Sequence, residues 1–152
     1  MNRAALEALY AALAPALMAL DAPWCVIGSG AAMIAGAPVE ACPDVDIMTT
    51  AAGAAALEAA WEAWRDRVYA PTSGELFRSR FSGYAFPEGR VEVMGDLLLR
   101  GEPVAIPAGV ATPFAGVVVR IPTIEAQIAL LQLFGRPKDL AKADMLEAYS
   151  NL

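Results

Sequence analysis

At 152 residues the chain has the length of one ordinary domain, and a single unit spanning residues 1–152 is expected. Apolar residues at 57% and charged residues at 18% exclude global disorder. The formal charge of −6 weighs against nonspecific binding of nucleic acid, which needs clustered Lys and Arg. The absence of histidine removes His-based triads, the HExxH zinc helix and imidazole proton shuttles. Acid–base chemistry here must use carboxylates, Lys, Tyr or Cys.

The amino-terminal run AALEALYAALAPALMAL has the apolar content of a signal peptide. Glu7 interrupts it, however, and Leu6, Leu9, Tyr10, Leu13 and Leu17 fall at helical spacing. The spacing predicts an amphipathic helix over residues 3–20, kinked or broken at Pro15. A buried strand follows at Trp24–Ile27, then a short helix over residues 29–35 closed by Gly36-Ala37-Pro38. Cys25 and Cys42 lack CxxC spacing and are expected to be buried packing thiols.

Residues 44–49, DVDIMT, read as a strand. Residues 53–66 read as a helix with Leu57, Trp61 and Trp64 on one side. Segments 76–81 and 84–86 suggest paired strands, turning at Ser82-Gly83 or at Pro87-Glu88-Gly89. Further strands are expected at Arg90–Met94 and Val117–Ile121. Thr123 is placed to cap a helix that Gly135 ends, and Pro137 begins a last helix to about Tyr149. The pattern is α+β, a mixed sheet of four to six strands flanked by helices. No run is apolar enough to span a bilayer, so a soluble, cytoplasmic protein without membrane association is expected.

The stretch VIGSGAAMIAG, residues 26–36, poses the functional question. A dinucleotide-binding turn needs G-x-G-x-x-G, a full crossover helix and one acidic residue about 20 positions on. Gly28 and Gly30 fit, and Asp46 lies at a tolerable distance. Met33 occupies the third glycine position, the helix is cut short, and the acidic element is a pair, all of which count against that alternative.

The pair itself suggests other chemistry. Side chains two apart on a strand share a face, so Asp44 and Asp46 aim two carboxylates at one spot. Their repulsion is relieved by a divalent cation, and magnesium commonly bridges carboxylates to substrate phosphates. The glycine turn would supply backbone N–H groups to the same phosphates. In Arg90–Met94 the alternation puts Glu92 on the face opposite its two valines. It is either a third metal carboxylate and general base or a solvent-facing residue.

Gly28-Ser29, a short apolar helix ending in glycine, Asp44-Val45-Asp46 and a later strand carboxylate resemble the nucleotidyltransferase superfamily related to DNA polymerase beta. The likeness is to its small bacterial members, of the abortive-infection toxin type or the aminoglycoside and lincosamide adenylyltransferases. PTIEAQIALLQLFGRPKDLAKADML, residues 122–146, is similar to the helix, Arg-Pro-Lys-Asp and second helix of many such members. Together these motifs cover about two thirds of the chain in the right order. The resemblance implies metal-dependent transfer of a nucleoside monophosphate from an NTP, with Mg2+ or Mn2+, to an unidentified hydroxyl acceptor. It implies that Gly28 and Ser29 hold phosphates and that Asp44, Asp46 and Glu92 bind metal. It gives Lys138 a phosphate contact and Asp139 an orienting role, although Arg136–Asp139 also has the pattern of a helix cap. Arg78, Arg80 or Lys138 would offset developing charge.

The sequence departs from those relatives in three places. Glu40, Ala41, Cys42 and Pro43 stand where an Arg or Thr commonly precedes the first aspartate. Fourteen residues separate Ser29 from Asp44, and Leu131 occupies a frequent lysine position. These changes fit an altered substrate, or an inactive binding or regulatory module partnered through the Leu- and Ala-rich end helices.

Overall fold

The computed structural model describes residues 1–39, 41–68 and 74–152, so Glu40 lies outside the described residues. The chain runs through α1 (Arg3–Met18), β1 (Trp24–Ile27), α2 (Gly28–Ile34), β2 (Asp44–Thr49) and α3 (Ala51–Ala60). It continues with β3 (Phe77–Phe86), β4 (Gly89–Leu99), β5 (Glu102–Pro103), β6 (Val110–Phe114), β7 (Val117–Ile121), α4 (Ile124–Phe134) and α5 (Pro137–Ser150). Among the described residues the main sheet has five strands, in the order β1-β2-β4-β3 with β5 added beside the end of β4, and β6 and β7 form a separate ribbon. This is the α+β arrangement of a mixed sheet flanked by helices.

Strand β2 is antiparallel to β1 and parallel to β4, and β3 is antiparallel to β4. The antiparallel return after α2 is not the parallel crossover of a dinucleotide-binding unit. That alternative is therefore set aside. Alternation along the strands gives the sheet two apolar faces. Val26, Val45, Ile47, Val91 and Val93 pack with the leucines of α1 and with Ala54 and Leu57 of α3. On the other face Cys25, Ile27 and Met48 pack with Leu130 and Phe134 of α4. Both thiols are free and buried, as expected. Burial pushes Cys25 up to about 12 and Cys42 up to about 11, so neither is a thiolate nucleophile at neutral pH.

Several sequence expectations need correction. Of the kink or break expected at Pro15, the break does not occur, because α1 runs through it as one element. The carbonyl orphaned by the missing N–H is that of Ala11, which is exposed and can be hydrated. The leucines of α1 are consumed by the core, so this end helix offers no leucine face to a partner. Helix α3 starts two residues early, capped by the Thr50 side chain, and ends at Ala60 in a short 3-10 turn. Trp64 rides on that turn and is 41% exposed, whereas Leu57 and Trp61 are buried.

Ser82-Gly83 is not a turn: β3 is one strand, in which the Tyr84 hydroxyl donates to Ser82 Oγ at 2.9 Å. Strands β5 and β6 were not foreseen. Two residues show no alternation, and Pro113 makes β6 look unlike a strand, although a two-stranded ribbon tolerates it. No helix among the described residues is long and apolar enough to cross a membrane.

Strand β4 carries an irregularity. Its register with β3 shifts between Arg78 and Arg80, and Asp96 adopts φ 51°. Such a bulge reverses which residues face which side. Before it Val91, Val93 and Gly95 face α1 and α3; after it Leu97 and Leu99 join Phe134 on the opposite face.

Gly95 lies against α3, where an added Cβ would sit 2.8 Å from Ala54 Cβ and 2.9 Å from the Thr50 carbonyl. A Gly95→Val substitution should therefore destabilise the protein by about 2 kcal/mol in urea unfolding, the scale of overpacking in a closed core. An unchanged midpoint would show that α3 is not seated on β4 as described.

Candidate active site

The site is built by register. Ile27 of β1 stands opposite Asp46 of β2, Asp46 beside Glu92 of β4, and Glu92 opposite Gly83 of β3. Residues in one cross-strand row share a face. Asp46 and Glu92 therefore project together, with Asp44 two residues before Asp46 on the same side. One carboxylate oxygen from each of the three lies within 4.8 Å of the others. The glycine at 83 places no side chain beside Glu92, a contribution hidden by reading it as a turn.

Gly28 follows β1 directly. Its φ is 71°, and an added Cβ would lie 3.2 Å from Asp46 Oδ2. Both facts favour glycine, the first by backbone sterics and the second by the approach of the carboxylate. Helix α2 starts there with no side-chain cap, leaving its first N–H groups uncommitted by capping.

Crowding appears in the ionisation of the pair. Burial pushes the Asp46 carboxyl well above the usual carboxylate range, and the adjacent charges of Asp44 and Glu92 push it further. Asp44 is raised as well, first by burial and next by Glu92. Asp46 Oδ1 is shielded from solvent and meets no hydrogen-bond donor among the described residues. Three oxygen ligands that repel one another, one of them orphaned, form a donor set that fits a hard divalent cation.

The carboxylates sit at one end of a cleft of about 530 Å³ between the sheet and helices α4 and α5. Gly28, Ser29, Lys138 and Asp139 all line it. Asp139 is 2% exposed and accepts from the Arg136 backbone N–H and from Arg136 Nε at 2.6 Å. Its role is thus to cap α5 and fix Arg136, and it pairs with that arginine in place of Lys138. Arg78 lines the cleft, whereas Arg80 does not and instead pairs with Glu58 at 2.7 Å. Arg80 is therefore removed from the candidate cations.

Lys142 was missed at the sequence level. It follows Lys138 by one helical turn, so i, i+4 spacing would have found it. Lys138 favours the charged form of Asp44, and Lys142 that of Asp46. These lysines supply positive charge that the segment before Asp44 lacks.

No protein-family profile and no curated protein matches this sequence. Solved structures do match. A Thermotoga maritima protein that carries the provisional name nucleotidyltransferase superposes with a TM-score of 0.75 at 23% identity, over 99% of this chain and 96% of that one. The antibiotic-resistance factor ANT(2'')-Ia superposes with a TM-score of 0.63 at 14% identity, over 99% of this chain and 86% of its own. A nucleotidyltransferase-like protein from Paracoccidioides brasiliensis gives 0.57 at 15% identity, over 96% and 77%. The chain has the nucleotidyltransferase fold, as its motifs implied.

An acid whose ionisation is hindered by folding costs stability as pH rises from its ordinary value, 3.8 for Asp44 and Asp46, towards the raised folded value. The contribution is intact below that window and lost above it. Asp46→Asn should therefore raise the metal-free Tm at pH 7 by about 3 °C, the gain shrinking towards pH 4. Calorimetric scans of both proteins at the two pH values provide the check, and an Asn variant that melts no higher than the parent at pH 7 would contradict a cost of burying the Asp46 charge among its acidic neighbours.

Proposed function

We propose that this protein is a metal-dependent nucleotidyltransferase that moves a nucleoside monophosphate from an NTP to a hydroxyl acceptor. The observation that carries the reading is the convergence of Asp44, Asp46 and Glu92 within 4.8 Å beside the positive-φ Gly28. The shared fold and the orphaned Asp46 oxygen support it.

Magnesium or manganese, held by Asp44, Asp46 and Glu92, would supply charge neutralisation at the α-phosphate and favour ionisation of the acceptor hydroxyl. The Gly28-Ser29 turn offers backbone N–H groups to the terminal phosphates. Lys138 and Lys142 offset the charge on the departing pyrophosphate. Glu92 accepts the proton of the acceptor hydroxyl. The acceptor oxygen then bonds to the α-phosphorus as the bond to the bridging oxygen breaks, and pyrophosphate leaves. Arg136, fixed by Asp139 and stacked 4.8 Å over Phe77, holds a further positive charge at the cleft wall.

Magnesium together with one of the four NTPs should raise Tm, by the equivalent of about 2.7 kcal/mol at a hundred times Kd. Asp46→Asn should abolish the shift. Glu92→Gln should lower kcat for label transfer from the α-phosphate by about 100-fold, the usual scale for a lost general base. Absence of a magnesium-dependent shift with every NTP would favour the inactive-module reading and sink this one.

A further inference from the structure

The acceptor's chemical class follows from the far end of the cleft, given the reading of the site as a nucleotidyltransferase. In-line displacement sets the incoming oxygen opposite the departing pyrophosphate across the α-phosphorus. The phosphate-holding turn, Gly28-Ser29, lies on the β1 side of Asp46, and Glu92 lies on the β4 side. The acceptor must therefore approach from beyond Glu92, over β4 and β3.

The surface there is apolar. Met94 is two residues past Glu92 on the same face, and Phe81 is its partner across the β3–β4 ladder. The β4 bulge then turns Leu97 onto this face. Phe77 and Phe134 form an edge-to-face pair with centroids 4.9 Å apart. All of these residues line the cleft.

Charge sharpens the choice. Apart from the three clustered carboxylates, the charged residues lining the cleft among the described residues are Arg78, Arg136, Lys138, Asp139 and Lys142. Asp139 is committed to Arg136 through contacts at 2.6 and 3.0 Å. Among the described residues no carboxylate remains to meet the ammonium groups of a polycation. We propose that the acceptor is a small hydroxyl compound with an aromatic or apolar body, neutral or anionic, seated on Met94, Phe81, Leu97 and the Phe77–Phe134 pair. Polyamino sugars are disfavoured. A cleft of about 530 Å³ that also takes a nucleotide keeps the acceptor small.

The test is isothermal titration of the full chain in magnesium with 2-phenylethanol, 4-hydroxyphenylacetate and tobramycin. The aromatic probes should bind at least about tenfold more tightly than tobramycin, and Met94→Glu should weaken them about fivefold. Phe77→Ala, which adds no charge to the sheet face, should weaken them similarly and serves if the first variant does not fold. The proposal is overturned if neither aromatic probe binds, if tobramycin binds as tightly as they do, or if Phe77→Ala leaves their binding unchanged. Nucleotide-dependent stabilisation is read without any acceptor, so the two readings fail separately.

Discussion

The mutual repulsion of three carboxylates is the constraint around which this molecule is organised. Left to themselves, Asp44, Asp46 and Glu92 would separate. Backbone ladders prevent it, because Asp46 sits beside Glu92 by strand register and the strands carrying them are anchored by valines and isoleucine buried on the reverse face. Hydrophobic burial on one side of the sheet thus offsets electrostatic cost on the other. Burial first, and the neighbouring carboxylates next, make both aspartates weaker acids than usual. Functional sites commonly hold such stored cost.

The same sheet face divides the chemistry of the cleft. Its upper row holds carboxylates and the next row holds Met48, Met94 and Phe81, so polar and apolar ends abut within two residues of strand. Helix α5 brings Lys138 and Lys142 over the first region, and α4 brings Leu130 and Phe134 over the second. Positive charge reaches the carboxylates from the carboxyl-terminal helix, far along the chain from Asp44. Its absence just before Asp44 is therefore a relocation in space.

Much of this was legible in residues alone. DVDIMT and WCVIG announced their strands by composition, and VEV fixed the face of Glu92 by alternation. Thr123, Gly135 and Pro137 marked helix ends through local rules that need no tertiary information. What stayed hidden was non-local. Gly83 has the turn-forming chemistry of any serine-glycine pair, and only pairing with β4 makes it strand. The bulge at Asp96 adjoins Gly95, a strand glycine of the kind that marks bulges, but the residue at positive φ is the aspartate, and only pairing with β3 reveals the redirection of Leu97. In Arg136–Asp139 the helix-cap pattern was legible from Pro137 and the spacing, whereas the placement of Arg136 and Lys138 along the cleft depends on how α5 packs on the sheet.

One contact low in the molecule has a mechanical consequence. The Tyr149 ring near the end of α5 lies beneath Gly36, its hydroxyl 3.0 Å from where a Cβ would be and 3.4 Å from the Ala35 carbonyl oxygen. Ala32 of α2, Leu131 of α4 and Ala143 and Leu146 of α5 share the apolar cluster beside it. The bend that starts α2 and the lysines of α5 are thereby riveted to a common block. The glycine turn on one side of the groove and the lysines on the other are thus spaced by one shared apolar cluster.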